Sequence, residues 1–222
     1  MDVTAADFAE ARNRMVDAQI RPNRVADPRL LTAMRKIPRE RFLPPHLAPL
    51  AYIDEDLDLG NGRVLMEPLV IARLVQLAAV RPREQTLVVG AGTGYGAALL
   101  AASGAVVTAL EEDARLVDIA RPALRAFAPS VTLVAGPLVD GWAAGAPWDL
   151  VFIQGAATAV PEAIARQVRA ETGRLVGVLG GGGRAGTAVL GERTEAGLTL
   201  RPMFDCATPA LPQLRPRPGF DF

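Results

Sequence analysis

The chain is nearly without three residue types that carry much of enzyme chemistry: its 222 residues include one histidine, His46, one cysteine, Cys206, and one lysine, Lys36. A single cysteine cannot close an internal disulfide, and one histidine with one cysteine leaves no cluster of the kind that binds zinc, so metal catalysis is not expected. His46, in the run Leu43-Pro44-Pro45-His46, has no nearby serine or cysteine nucleophile to activate, and reads as a loop residue. Cys206 reads as a small buried hydrophobe. A charge excess of either sign is also missing: 24 Lys and Arg face 24 Asp and Glu. That balance gives no electrostatic footprint for nucleic acid and no basic surface for an anionic membrane, which leaves a small molecule, peptide or protein as the partner. Long apolar runs are absent too. Arg73 and Gln76 interrupt one candidate and Ser103, Gly104 and Thr108 the other, short of the roughly 20 residues that span a bilayer. The opening Met1-Asp2-Val3-Thr4-Ala5-Ala6-Asp7 has neither the basic nor the apolar segment of a signal peptide, and a cytoplasmic location is expected.

Half of the residues are hydrophobic, enough for a proper core, and the length suits one catalytic-sized domain with an accessory element. Residues 1–84 read as helices with irregular connections. Phe8, Ala11, Met15, Ala18 and Ile20 recur at helical spacing, and Asp27-Pro28 is an N-cap with proline in the first turn of a helix reaching Lys36. From Pro44 to Pro68 the proline, glycine and acidic residues predict a long surface loop, followed by a helix from Pro68. Within residues 85–207 the pattern changes to short apolar runs, 86–89, 105–110, 131–135, 150–153 and 174–179, alternating with helical segments near 95–103, 113–127 and 161–170. Such alternation specifies an α/β fold: a mostly parallel, Rossmann-like sheet covered by helices on both faces. The runs 187–190 and 197–204 have no room for a crossover helix between them, so the sheet is expected to end in an antiparallel hairpin. Gly180 to Gly183 read as a mobile connection, and the Pro-rich tail 208–222 as an extended segment lying along the domain or hanging free.

The run Thr86-Leu87-Val88-Val89 leads into Gly90-Ala91-Gly92-Thr93-Gly94-Tyr95 and then a helix. Glycines at the end of a first strand let the backbone turn tightly and approach a ligand that also meets a helix N-terminus. A phosphate-binding P-loop would need Lys-Ser or Lys-Thr after the glycines, and a dinucleotide fingerprint would need glycine at Tyr95. The spacing that remains suits a ligand without phosphates, such as S-adenosylmethionine. Glu111 follows the second strand at the interval of a βαβ unit, where a carboxylate can accept ribose hydroxyls; the competing reading is that Glu111, Glu112 and Asp113 only start the next helix.

Taken together, Arg14-Met15-Val16-Asp17-Ala18-Gln19, the segment Met34 to Phe42, Ala51-Tyr52-Ile53-Asp54, Asn61-Gly62, Pro68, the glycine loop, Pro161-Glu162-Ala163-Ile164 and Gly173-Arg174-Leu175-Val176 resemble the protein-L-isoaspartate O-methyltransferase family along nearly the whole chain. The resemblance implies methyl transfer from S-adenosylmethionine to the side-chain carboxylate of isoaspartate in damaged proteins, which starts repair through a succinimide. It implies a cofactor site at Gly90, Ala91, Gly92, Gly94, Tyr95, Glu111, Glu112, Gly136, Pro137 and Leu138, with the loop Tyr52 to Pro68 covering the methyl donor. Three positions depart from the family pattern. Met66 stands where the family has a serine facing the acceptor, Pro137 where an acid receives the adenine amine, and Val88 where an acid anchors the glycine loop. Asp140 is a candidate substitute on the adenine side, and Arg63 a candidate for attracting a substrate carboxylate, with a solvated loop arginine as the alternative. Met66 cannot donate a hydrogen bond, so isoaspartyl methylation is expected to be weak or absent. A methyltransferase with another acceptor, and a cofactor-binding module without catalysis, are the rival readings.

Overall fold

The computed structural model describes residues 4–180 and 185–215. Most of the tetraglycine connection, the first residues of the chain and the last part of the tail lie outside them. Helix α1 (Ala5–Met15) is capped by Thr4 and runs into a π-helical turn, Val16–Ile20. Helix α2 (Pro28–Lys36) starts where Asp27 accepts hydrogen bonds from the amides of Arg29 and Leu30, as Asp-Pro predicts.

The expected surface loop before Pro68 is instead largely built into the core. Strands β1 (Leu57–Gly60) and β2 (Arg63–Leu65) pair antiparallel, with Asn61 (φ +54°) and Gly62 (φ +69°) making the turn in the left-handed region that an Asn-Gly pair favours. Leu57, Leu59 and Leu65 alternate inward and are buried. Helix α3 (Pro68–Ala78) then buries Val70, Ile71, Leu74 and Val75.

The second half alternates β3 (Gln85–Val89), α4 (Tyr95–Ala102), β4 (Val106–Glu111), α5 (Ala114–Phe127), β5 (Thr132–Ala135), β6 (Leu150–Ala157), α6 (Glu162–Gln167) and β7 (Arg174–Leu179), and closes with β8 (Ala185–Thr194) and β9 (Gly197–Ala207). The sheet order is β5-β4-β3-β6-β7-β8-β9, parallel from β5 to β7 and antiparallel for the last two pairings. Leu87, Val88 and Val89 are all fully buried because parallel strands are covered on both faces. Alternate side chains divide between two apolar clusters: Val88, Ala109 and Phe152 pack with residues of α1 to α5, and Leu87, Val89 and Ile153 pack with Ile164 and the tail residues Leu211 and Leu214. The N-terminal helices therefore share one core with the sheet. Because β4 and β6 flank β3 on opposite sides, the turn after β3 opens at the topological switch point, where ligands of such sheets bind. None of the described helices is long and apolar enough to cross a membrane.

Candidate active site

The glycine loop is held from three directions. The amides of Gly90 and Ala91 both donate to the carbonyl of Leu110 at 3.0 Å, the Gly92 amide donates to Glu111 Oε2 at 2.6 Å, and Gln154 Nε2 of β6 donates to the Ala91 carbonyl at 3.1 Å. Gly90, Gly92 and Gly94 have φ of +73°, +59° and +95°, a region that side chains with a Cβ rarely enter. At Gly94 a Cβ would also lie 3.0 Å from Leu124 of α5. Val88 contributes only packing, and Glu111 does the anchoring that an acid at Val88 could do.

Glu111 ends β4 fully buried and beside the loop, but it is saturated. Its Oε1 accepts from Arg63 Nη1 at 2.7 Å and from the amides of Glu112 and Asp113 at 2.9 Å each; its Oε2 accepts from Arg63 Nη2 at 2.8 Å and from Gly92. Arg63 is only 3 % exposed and makes a further bond to the Gly90 carbonyl at 3.2 Å. The expectation of Arg63 as a loop cation for a substrate carboxylate, or as a solvated arginine, is therefore corrected: the hairpin carries it inward, where burial of its charge requires the Glu111 partner.

Next to Glu111, Glu112 accepts the amide of Leu138 at 3.1 Å, and the Gly136 amide donates to the Glu111 carbonyl. Pro137 and Asp140 are exposed, while Leu138 is buried. Tyr95 begins α4 but its ring turns away from the sheet edge. It meets Phe42 edge-on, with centroids 5.5 Å apart, and the Arg39 guanidinium lies 5.1 Å from its centroid. Burial pushes its phenol up to about 12, and the hydroxyl has no partner among the described residues.

Met66 is buried against this same core. Arg39, which no sequence signal singles out, is fully buried and donates to the carbonyls of Ala51 (2.7 Å) and Met66 (2.5 Å), tying both ends of the hairpin segment together. Burial holds its guanidinium down, to about 10. Glu67, beside Met66, is raised to about 7 by burial first and then by the charges of Asp54 and Asp56. His46 is exposed, as its loop reading implies, and Cys206 is half-buried in β9.

The tail also reaches this place. The Leu211 amide donates to the Ala156 carbonyl at 2.8 Å, and the Leu211 side chain lies against Gly90, where a Cβ would meet it at 2.9 Å.

The family model described as "Protein-L-isoaspartate(D-aspartate) O-methyltransferase (PCMT)" matches residues 10–198. A protein-L-isoaspartate O-methyltransferase of Methylorubrum extorquens is 41% identical over 170 residues, which is 77% of this chain and 74% of the relative. One from Protochlamydia amoebophila is 36% identical over 163 residues, covering 73% and 77%. Among solved structures, a Plasmodium falciparum protein described as a putative protein-L-isoaspartate O-methyltransferase in complex with S-adenosyl-L-homocysteine superposes with a TM-score of 0.75 at 16% identity, over 91% of this chain and 98% of that one, and supports the fold. The fold places a glycine turn and a terminal strand carboxylate together at the switch point, and the sequence match runs through the helices, hairpin and sheet that build this arrangement; the chain belongs to the protein-L-isoaspartate (D-aspartate) O-methyltransferase family.

Proposed function

We propose that this chain is an S-adenosylmethionine-dependent methyltransferase that esterifies the side-chain carboxylate of isoaspartyl residues in peptides or damaged proteins. The observation that carries the reading is the family match across residues 10–198, which spans both the glycine turn with Glu111 and the Met66 hairpin. S-adenosylmethionine, when bound, supplies a methyl group on a sulfonium centre open to displacement by an oxygen nucleophile. The donor set fits such a group: three glycines with positive φ turn the backbone at the strand end, and a carboxylate stands beside them. Gly90, Gly92, Gly94 and Glu111 would hold it, with Glu112 and residues 136–138 bordering the base. Two of these groups are engaged by the chain itself, Glu111 by Arg63 and Gly90 by Leu211.

An isoaspartyl carboxylate is already ionised near neutral pH, so no general base is required. The chain's own contribution is to position the acceptor and exclude water. Residues 1–84 supply the acceptor side through the Arg39-tethered hairpin, and residues 85–207 the donor side. Met66 presents a thioether where a hydroxyl would hold the acceptor oxygen, which makes positioning weaker and transfer slow. A peptide or protein acceptor and a cytoplasmic location go with this reading. The test is incubation with methyl-labelled S-adenosylmethionine and a matched pair of peptides, one with isoaspartate and one with aspartate. Base-labile label in the isoaspartyl peptide alone is the expected outcome; label in neither, or equally in both, would contradict it.

A further inference from the structure

We propose that the crevice at the carboxyl ends of β3 and β6 is also a peptide-binding groove, that its occupant is the chain's own segment Thr208–Leu214, and that this segment and the cofactor exclude one another. The inference rests on the cofactor reading above. Backbone recognition is of the kind that adds a strand: the Ala156 amide donates to the Pro209 carbonyl at 3.1 Å, the Leu211 amide returns to the Ala156 carbonyl at 2.8 Å, and Ala156 and Ala210 form a parallel bridge. Side-chain recognition comes from two leucines. Leu211, 4 % exposed, sits where a Cβ at Gly90 would be 2.9 Å away and one at Gly155 2.6 Å away, so both bare glycine faces are in use. Leu214 joins the same apolar cluster as Leu138, and Thr158 Oγ1 donates to its carbonyl at 3.4 Å.

Gly90 is the first glycine of the turn that would hold the cofactor, so its face cannot serve Leu211 and a ligand together. Glu111 is engaged separately, by Arg63 and three amides, and plays no part in this exclusion. When only a fraction of molecules has the groove open, the apparent dissociation constant rises by the inverse of that fraction.

The test uses the full chain. Hydrogen exchange at the Leu211 amide is measured with and without saturating S-adenosylhomocysteine, and the same compound is titrated calorimetrically into the natural chain, Leu211→Ala and Leu211→Asp, each checked for folding by circular dichroism. The expected results are a protected Leu211 amide that loses protection when the compound binds, and binding at least about tenfold tighter in Leu211→Asp. A Leu211 amide that stays protected at saturation, with equal affinity in all three chains, would overturn the competition and leave the cofactor reading standing. Absence of binding in all three folded chains would overturn both.

Discussion

Arg63 and Glu111, 48 positions apart, form a buried ion pair that ties the β1–β2 hairpin to the end of β4. Removing either leaves the other charge without compensation, so Arg63→Ala or Glu111→Gln is expected to cost about 3–5 kcal/mol in chemical denaturation. Removing both is expected to cost less than the two single losses added, because each single variant strands one buried charge and the double variant strands neither. Glu67 gives a pH signature. Its carboxyl is raised from the ordinary 4.5 to about 7 in the folded protein, so the folded state binds the proton more tightly than the unfolded chain does. This contribution to stability is therefore complete below about pH 4.5 and lost as pH rises through about 7. Denaturation midpoints followed over that window are expected to fall with rising pH, and Glu67→Gln to flatten the fall. At Met66, a hydroxyl bonded to the acceptor carboxylate would be worth roughly 1.5–3 kcal/mol, about a tenfold to hundredfold rise in rate. Met66→Ser is thus expected to raise methyl transfer per folded molecule while destabilising the chain, since a buried side chain is truncated. An unchanged rate would detach that position from acceptor positioning.

Elements with a strong local signal were legible. Asp27-Pro28 marked the start of α2, and Asp27→Ala is expected to cost about 1 kcal/mol as two amide bonds at the helix start are lost, measurable by thermal or urea unfolding. The short apolar runs of the sheet were readable because parallel strands buried on both faces need unbroken hydrophobic stretches, and the βαβ interval placed Glu111 beside the glycine loop. The β1–β2 hairpin was missed although Asn61-Gly62 is a hairpin turn signal and Leu57, Leu59 and Leu65 alternate around it. Its flanks are short and acidic, and its burial depends on Arg39 reaching the Ala51 and Met66 carbonyls, a contact that no periodicity encodes. Tyr95 is divided in a similar way. Its backbone belongs to the glycine turn, but its ring belongs to the core that Phe42 and Arg39 bring from the N-terminal helices.

At the scale of the whole molecule, one core joins the N-terminal helices to the sheet, so the hairpin and the glycine turn are positioned by the same packing. The tail's course could not be read from its prolines, which specify an extended chain and not the surface on which it lies; the glycine faces at Gly90 and Gly155 that receive Leu211 are set by the sheet. Repair of isoaspartyl linkages is the activity to be measured. Its most direct measurement is chromatographic: an isoaspartyl peptide is incubated with the full chain at stoichiometric concentration, with and without S-adenosylmethionine, and followed for hours against the aspartyl peptide of the same mass. Slow loss of the isoaspartyl form and growth of the aspartyl form are expected only when S-adenosylmethionine is present. An isoaspartyl peptide left unchanged, under conditions in which calorimetry finds the cofactor site saturated, would contradict it.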